Sequence, residues 1–176
     1  MTPSTQYPKS LLILRHGKSD WGAHHESDHD RPLNNRGRRA AKTMGLFIAQ
    51  TKQIPDKVLS SSAVRAKTTA ELAEKAGEWN RTIECDSGLY EQSSSGVLEI
   101  IQRIDDEHQL LMVVGHQPTC AELLADLTGC SRLRFPTAAL ARIDFSRDSW
   151  RQIEPGAGTI IWLVTPRLLQ RLDAIG

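Results

Sequence analysis

The first strongly apolar stretch of the chain is Ser10-Leu-Leu-Ile-Leu14, short and bounded by polar residues. A run of that kind suits a strand buried on both faces of a parallel sheet, and it delivers Arg15, His16 and Gly17 to the strand's C-terminal end. From Asn35 to Lys52 the pattern changes to a helical one. Ala40, Ala41, Met44, Phe47 and Ile48 share a face, and Asn34 or Asn35 is available as the cap. Lys57 to Ser60 reads as a second strand. A second helix follows, with Ser62 as its cap, an inward stripe of Ala66, Thr69, Leu72, Ala73 and Ala76, and Gly77 as its stop.

The alternation continues. Thr82 to Cys85 is a weak strand, a loop runs from Tyr90 to Gly96, and Val97, Leu98, Ile101 and Ile104 mark a third helix. Leu110-Leu-Met-Val-Val114 repeats the logic of the first strand and ends in Gly115-His116, before a helix from Pro118 that carries Leu124 and Leu127 inward. Beyond Pro136, the segments Ala139 to Phe145, Trp150 to Ile153 and Thr159 to Val164 read as strands joined by short turns. Strands alternating with helices predict a three-layer α/β/α sandwich with a mostly parallel central sheet and an antiparallel hairpin or edge near the C-terminus. Ligands of such sheets bind outside the carboxyl ends of the strands, where His16 and His116 are both expected.

Composition narrows the function. At 176 residues the chain is expected to form one domain, residues 1–176. The formal net charge is only +1, which excludes the basic footprint of a general nucleic-acid binder, so basic residues matter locally or not at all. Cys85, Cys120 and Cys130 are odd in number and lack a CxxC spacing, so neither a disulfide framework nor a zinc site is predicted. The first ten residues are polar, and no run approaches a membrane span. The expectation is a soluble, cytoplasmic protein with no membrane partner.

Three short motifs carry the chemistry: Arg15-His16-Gly17 after the first strand, SSAVRAKTTA from Ser61 to Ala70, and VVGHQPT from Val113 to Thr119. Together with Asp30-Arg31-Pro32-Leu33 and Leu89-Tyr90-Glu91, they make the chain resemble the histidine phosphatase superfamily, the branch that contains phosphoglycerate mutases, and most of all its small SixA-type phosphohistidine phosphatases. The motifs run from Leu11 to about Thr119; beyond that the resemblance rests on element order.

The resemblance implies a phosphohydrolase with His16 as the nucleophile that becomes phosphorylated. Arg15 and Arg65 are then clamps, each offering a planar fork to two phosphate oxygens, and His116 is a donor favoured in its charged form by the anion beside it. Arg31 is carried over as a further phosphate contact, Glu91 as the proton donor to the leaving group, and Gly17 and Ser19 as minor substrate contacts. His16 itself must present a neutral nitrogen. Its tautomer is expected to be set by a carbonyl near Gly17, and nearby arginines to keep it deprotonated.

No cofactor is implied. The cluster of His24, His25, Glu26, Asp28, His29 and Asp30 contains ordinary metal-ligand types but matches no standard spacing, so no metal is assigned and a lid or substrate-facing loop is expected, with Trp21 either packing it to the body or contacting substrate. The expected partner is a phosphorylated substrate, with a phosphohistidine-bearing protein favoured. A phosphatase of small phosphomonoesters is the nearest alternative. A noncatalytic phosphate-recognition module is the alternative from another class.

Overall fold

The computed structural model describes residues 8–131 and 133–172. Its element order is β1 (Lys9–Arg15), α1 (Asn35–Gln50), β2 (Lys57–Ser61), α2 (Val64–Gly77), β3 (Ile83–Asp86), α3 (Ser94–Ile101), β4 (Leu110–Gly115), α4 (Thr119–Thr128), β5 (Leu140–Phe145), β6 (Gly158–Val164) and α5 (Pro166–Leu172). The strands form one six-stranded sheet in the order β3-β2-β4-β1-β5-β6. The four strands β3, β2, β4 and β1 are parallel, and β5 and β6 complete the sheet antiparallel. This is the predicted α/β class with its antiparallel C-terminal edge.

The central strands are apolar on both faces because both faces are covered. Leu11 and Ile13 of β1, with Leu111 and Val113 of β4, join a core beneath α3 and α4 that includes Val97, Ile101, Leu124 and Leu127. The alternate residues Leu12 and Leu14, with Met112 and Val114, face α1 and α2 and pack on Met44, Ile48, Ala66 and Ala73. Side chains alternate across a strand, so one continuous apolar run feeds two separate cores.

Local signals set most helix starts. Asn34 caps α1 by accepting from the Gly37 N–H at 2.9 Å, and Ser93 caps α3 by accepting from Gly96. Three expectations need correction. Ser62 does not cap α2: Ala63 holds that position, and the Ser62 hydroxyl is instead paired with His29 Nε2 at 2.9 Å. Gly77 is the last residue of α2 but not its left-handed cap, which is Glu78 at φ 52°. Gly77 is needed for close packing, because a Cβ there would collide with the Trp79 indole and the Gly45 carbonyl. Trp150 to Ile153 is not a strand. Trp150–Gln152 forms a single 3-10 turn capped by Ser149, and the fully buried indole donates to the His108 carbonyl at 2.8 Å. A buried aromatic between polar neighbours imitates strand alternation. Helix α5 had no counterpart in the sequence reading.

Among the described residues, no helix is long and apolar enough to cross a membrane.

Candidate active site

The sheet register brings the two histidines together. β1 and β4 are parallel neighbours with Arg15 opposite Gly115, so the residues that follow, His16 and His116, leave the same edge side by side. Their ring centroids are 5.1 Å apart. β2 lies on the far side of β4, which sets Ser61 beside His116 and starts α2 with Arg65 in its first turn. These strand ends and the surrounding loops line a cleft of about 790 Å³ that includes Arg15, His16, Ser19, Arg31, Arg65 and His116.

His16 is nearly buried, at 7% exposure. Its Nδ1 lies 2.7 Å from the Gly17 carbonyl oxygen. A carbonyl only accepts, so Nδ1 carries the hydrogen and Nε2 is left with its lone pair. The pKa of His16 is pushed down to about 3. Burial is the largest cause; the Gly17 hydrogen bond opposes it, and the charges of His116, Arg65 and Arg15 add to it. The predicted carbonyl is thus present, but the expected cause of neutrality is corrected: desolvation leads and the arginines assist.

His116 is pushed down to about 4, again chiefly by burial, with Arg65 next and Asp28 opposing. Its Nε2 lies 2.8 Å from the Ser61 hydroxyl, and its buried Nδ1 has no protein partner. At neutral pH His116 is therefore neutral, and the expected imidazolium requires the charge of a bound anion.

Arg15 donates through Nη1 to the Phe135 carbonyl at 2.9 Å, while its buried Nε has no partner among the described residues. Arg65 is 5% exposed and donates to Asp28 twice, to the backbone carbonyl at 2.5 Å and to Oδ2 at 2.8 Å, with its Nε also unpaired. Arg31, 6% exposed, holds Asp28 Oδ1 through Nε at 3.1 Å and Nη2 at 2.7 Å, and Nη1 donates to Ser19 Oγ. The loop that carries Asp28 does face the cleft.

Other side chains of that loop are engaged locally. His25 Nδ1 pairs with the Ala23 carbonyl, and Asp30 accepts from Ser27. Trp21 corrects the packing expectation: it is 70% exposed and stacks on the Arg31 guanidinium, 3.7 Å from ring centroid to Cζ.

Gly17 is also placed differently from its expected role as a substrate contact. Its N–H donates to Thr69 Oγ1 at 2.9 Å, and Thr69 donates in turn to the Arg65 carbonyl at 2.6 Å. The residue must be small, since a Cβ there would lie 2.7 Å from the Gly37 carbonyl oxygen. Ser19 lines the cleft with its hydroxyl oxygen taken by Arg31. Glu91 lines the cleft mouth, exposed, in a left-handed conformation with φ 54°.

Sequence reasoning missed two members. Asp28, singled out above only as one member of the His24–Asp30 cluster, joins Arg31, Arg65 and the Tyr90 hydroxyl (3.1 Å) in one network. Partial burial would raise its pKa, but the Arg31 hydrogen bond, the Arg65 charge and Tyr90 outweigh this and hold it at about 2. Tyr90 packs edge-on against both His116 and His29. Its signal was its place inside the Leu89-Tyr90-Glu91 motif, which had been read for the glutamate alone.

The sequence profile of the histidine phosphatase superfamily (branch 1) matches residues 11–99. An uncharacterized protein of Mycobacterium tuberculosis is 32% identical over 164 residues, spanning 88% of this chain and 100% of the relative. Among solved structures, a protein of Agrobacterium tumefaciens assigned as phosphohistidine phosphatase SixA superposes with a TM-score of 0.77 at 29% identity, covering 91% of this chain and 99% of its own. The protein histidine phosphatase SixA complexed with tungstate gives 0.79 at 26% identity, with the same coverage. A mycobacterial glucosyl-3-phosphoglycerate phosphatase shares the fold at a TM-score of 0.64 and 16% identity, covering 88% of this chain and 98% of its own.

Proposed function

The chain belongs to the histidine phosphatase superfamily (branch 1), and from that membership we propose that it is a phosphohydrolase working through a phosphorylated His16, with phosphohistidine on a protein as its substrate. The observation that carries this reading is the state of His16. A neutral ring with Nδ1–H bound to Gly17 and a free Nε2 lone pair sits among Arg15, Arg31 and Arg65.

In the first step Nε2 of His16 attacks phosphorus in line. A new P–N bond forms as the P–N bond to the substrate imidazole breaks, and the substrate ring, protonated on its other nitrogen by solvent or Glu91, departs as neutral imidazole. Charge spread over the equatorial oxygens is met by the three arginines and by His116, which gains its proton as the dianion binds. The phosphoryl group must displace or share the arginine edges that Asp28 holds. In the second step water attacks phosphorus, inorganic phosphate leaves, and His16 is regenerated neutral.

Two arguments favour phosphohistidine. A phosphohistidine ring protonated on its other nitrogen leaves as neutral imidazole, whose conjugate acid has a pKa of roughly 6.5, far more readily than an alkoxide leaves, so solvent can supply the proton and the demand on an enzyme acid is small. The SixA proteins are also the higher-scoring of the structural relatives compared. A second reading, hydrolysis of a small phosphomonoester, is favoured by one feature: Glu91 at the cleft mouth offers the proton that an alkoxide leaving group needs.

Rapid quenching after brief exposure to phosphohistidine or p-nitrophenyl phosphate tests the mechanism. The expected product is an acid-labile, base-stable phosphoenzyme, present in the wild type and absent in His16→Ala. No label from either substrate overturns the covalent mechanism. Turnover of phosphohistidine no faster than that of simple phosphomonoesters overturns the substrate assignment.

A further inference from the structure

Beside the cleft lies a second groove of about 650 Å³ that the chemistry above does not use. Its cations are Lys18, after β1; Arg36 and Arg39, on α1; Arg134, before β5; and Arg167, on α5. Among the described residues no acidic side chain lines it, and none of these five cations takes part in an ion pair. The groove is continuous with the cleft. Lys18 and Thr137 line both, and a shallower depression that includes Arg15, Lys18, Arg36 and Arg134 bridges them.

This concentration of charge is not a reflection of composition, because the net charge of the chain is only +1. From residue 31 to residue 55 there are six cations, Arg31, Arg36, Arg38, Arg39, Lys42 and Lys52, and no aspartate or glutamate. α1 turns part of that stretch toward the groove, and α5 brings Arg167 in from the far end of the chain.

We propose that this groove docks an acidic surface of the protein that presents its phosphohistidine to His16. The inference rests on the phosphohistidine reading and adds the way the substrate is recognised. Exposure separates the two sets of arginines. Arg31 and Arg65 in the cleft are buried and held by fixed hydrogen bonds, as a pocket for one phosphoryl group requires. Arg36, Arg39, Arg134 and Arg167 are exposed and come from three separate segments, so they are neither dry nor preorganised enough to grip a second phosphate of a small molecule. Exposed charges spread over an open groove instead steer and orient an extended surface of opposite sign.

The test uses two synthetic phosphohistidine peptides, one rich in glutamate and one with serine in place of each glutamate, and free phosphohistidine as reference. The enzymes are the wild type, the double variant Arg39→Glu/Arg167→Glu, and Arg38→Glu, whose site is exposed on α1 but outside the groove lining. At low ionic strength the wild type is expected to favour the acidic peptide about tenfold in kcat/KM, a preference that shrinks as salt screens the groove. The double variant loses that preference, Arg38→Glu keeps most of it, and all three enzymes hydrolyse free phosphohistidine equally. Equal use of both peptides by the wild type, or a preference that survives the double variant, overturns the proposal.

Should p-nitrophenyl phosphate be hydrolysed but no phosphohistidine compound, the substrate reading fails by itself. Docking is then decided by fluorescence anisotropy with the unphosphorylated acidic peptide. Binding that the double variant abolishes supports the groove, and no binding to the wild type overturns it.

Discussion

Burial of a neutral His16 has a consequence for folding that is independent of any substrate. In the unfolded chain the ring titrates near 6.5, and in the folded protein near 3. Between those values the unfolded chain binds a proton that the folded protein excludes, so folding becomes less favourable as pH falls. The contribution is fully present above the unfolded pKa and is lost progressively from about pH 6.5 down to about pH 3. At about 1.36 kcal/mol per pH unit, the loss reaches roughly 2 kcal/mol by pH 5 and approaches ~5 kcal/mol at the lower limit.

His16→Asn isolates this effect, since asparagine can still donate to the Gly17 carbonyl but does not titrate. Urea unfolding of both proteins at pH 7 and pH 5 should show the wild type losing about 2 kcal/mol more than the variant. Nitrogen-detected titration of the wild type should place the His16 midpoint far below that of an exposed histidine, with the hydrogen on Nδ1. Parallel stability changes in the two proteins, or a His16 midpoint near 6.5, would refute the assignment of a desolvated neutral nucleophile.

Other consequences follow from the same geometry. Asp28→Asn removes the carboxylate shared by Arg31 and Arg65; inorganic phosphate should then inhibit several-fold more tightly, while the protein loses only about 1 kcal/mol at neutral pH because Asp28 is half-exposed. In the wild type that contribution persists above the ordinary aspartate range and disappears only as pH falls through about 2, because the folded pKa is depressed. Glu91→Gln should lower kcat on an alkyl phosphomonoester by on the order of a hundredfold, and on phosphohistidine only slightly, as read by steady-state kinetics with both substrates. Gly37→Ala drives a Cβ against the backbone of Lys18, whose nitrogen would lie 2.7 Å away, so thermal unfolding should show a loss of about 2 kcal/mol or more.

Much of this molecule is legible in one dimension. The runs Leu11 to Leu14 and Leu111 to Val114 read as doubly covered strands because the apolar pattern itself requires two covering layers. Asn34 as the cap of α1 was readable for a similar reason, since capping depends on a side chain and a backbone N–H only a few residues away. Trp150 and Ser62 were misread where a long-range partner, the His108 carbonyl in one case and His29 in the other, outweighed the local pattern.

The amino-acid sequence by itself determined the order of elements from β1 to β5, the parallel part of the sheet, and the placement of Arg15, His16 and His116 at strand ends, because periodicity and strand termini are local properties. Only the tertiary structure decided what those residues become. Burial, more than neighbouring charge, keeps His16 neutral. Asp28 reaches across from its loop to Arg65, 37 positions away, and pairs with both Arg65 and Arg31. The cations of α1 and α5 meet in one groove although more than a hundred residues separate them. Desolvation and long-range pairing depend on which segments the fold brings together, and no local window of sequence records that.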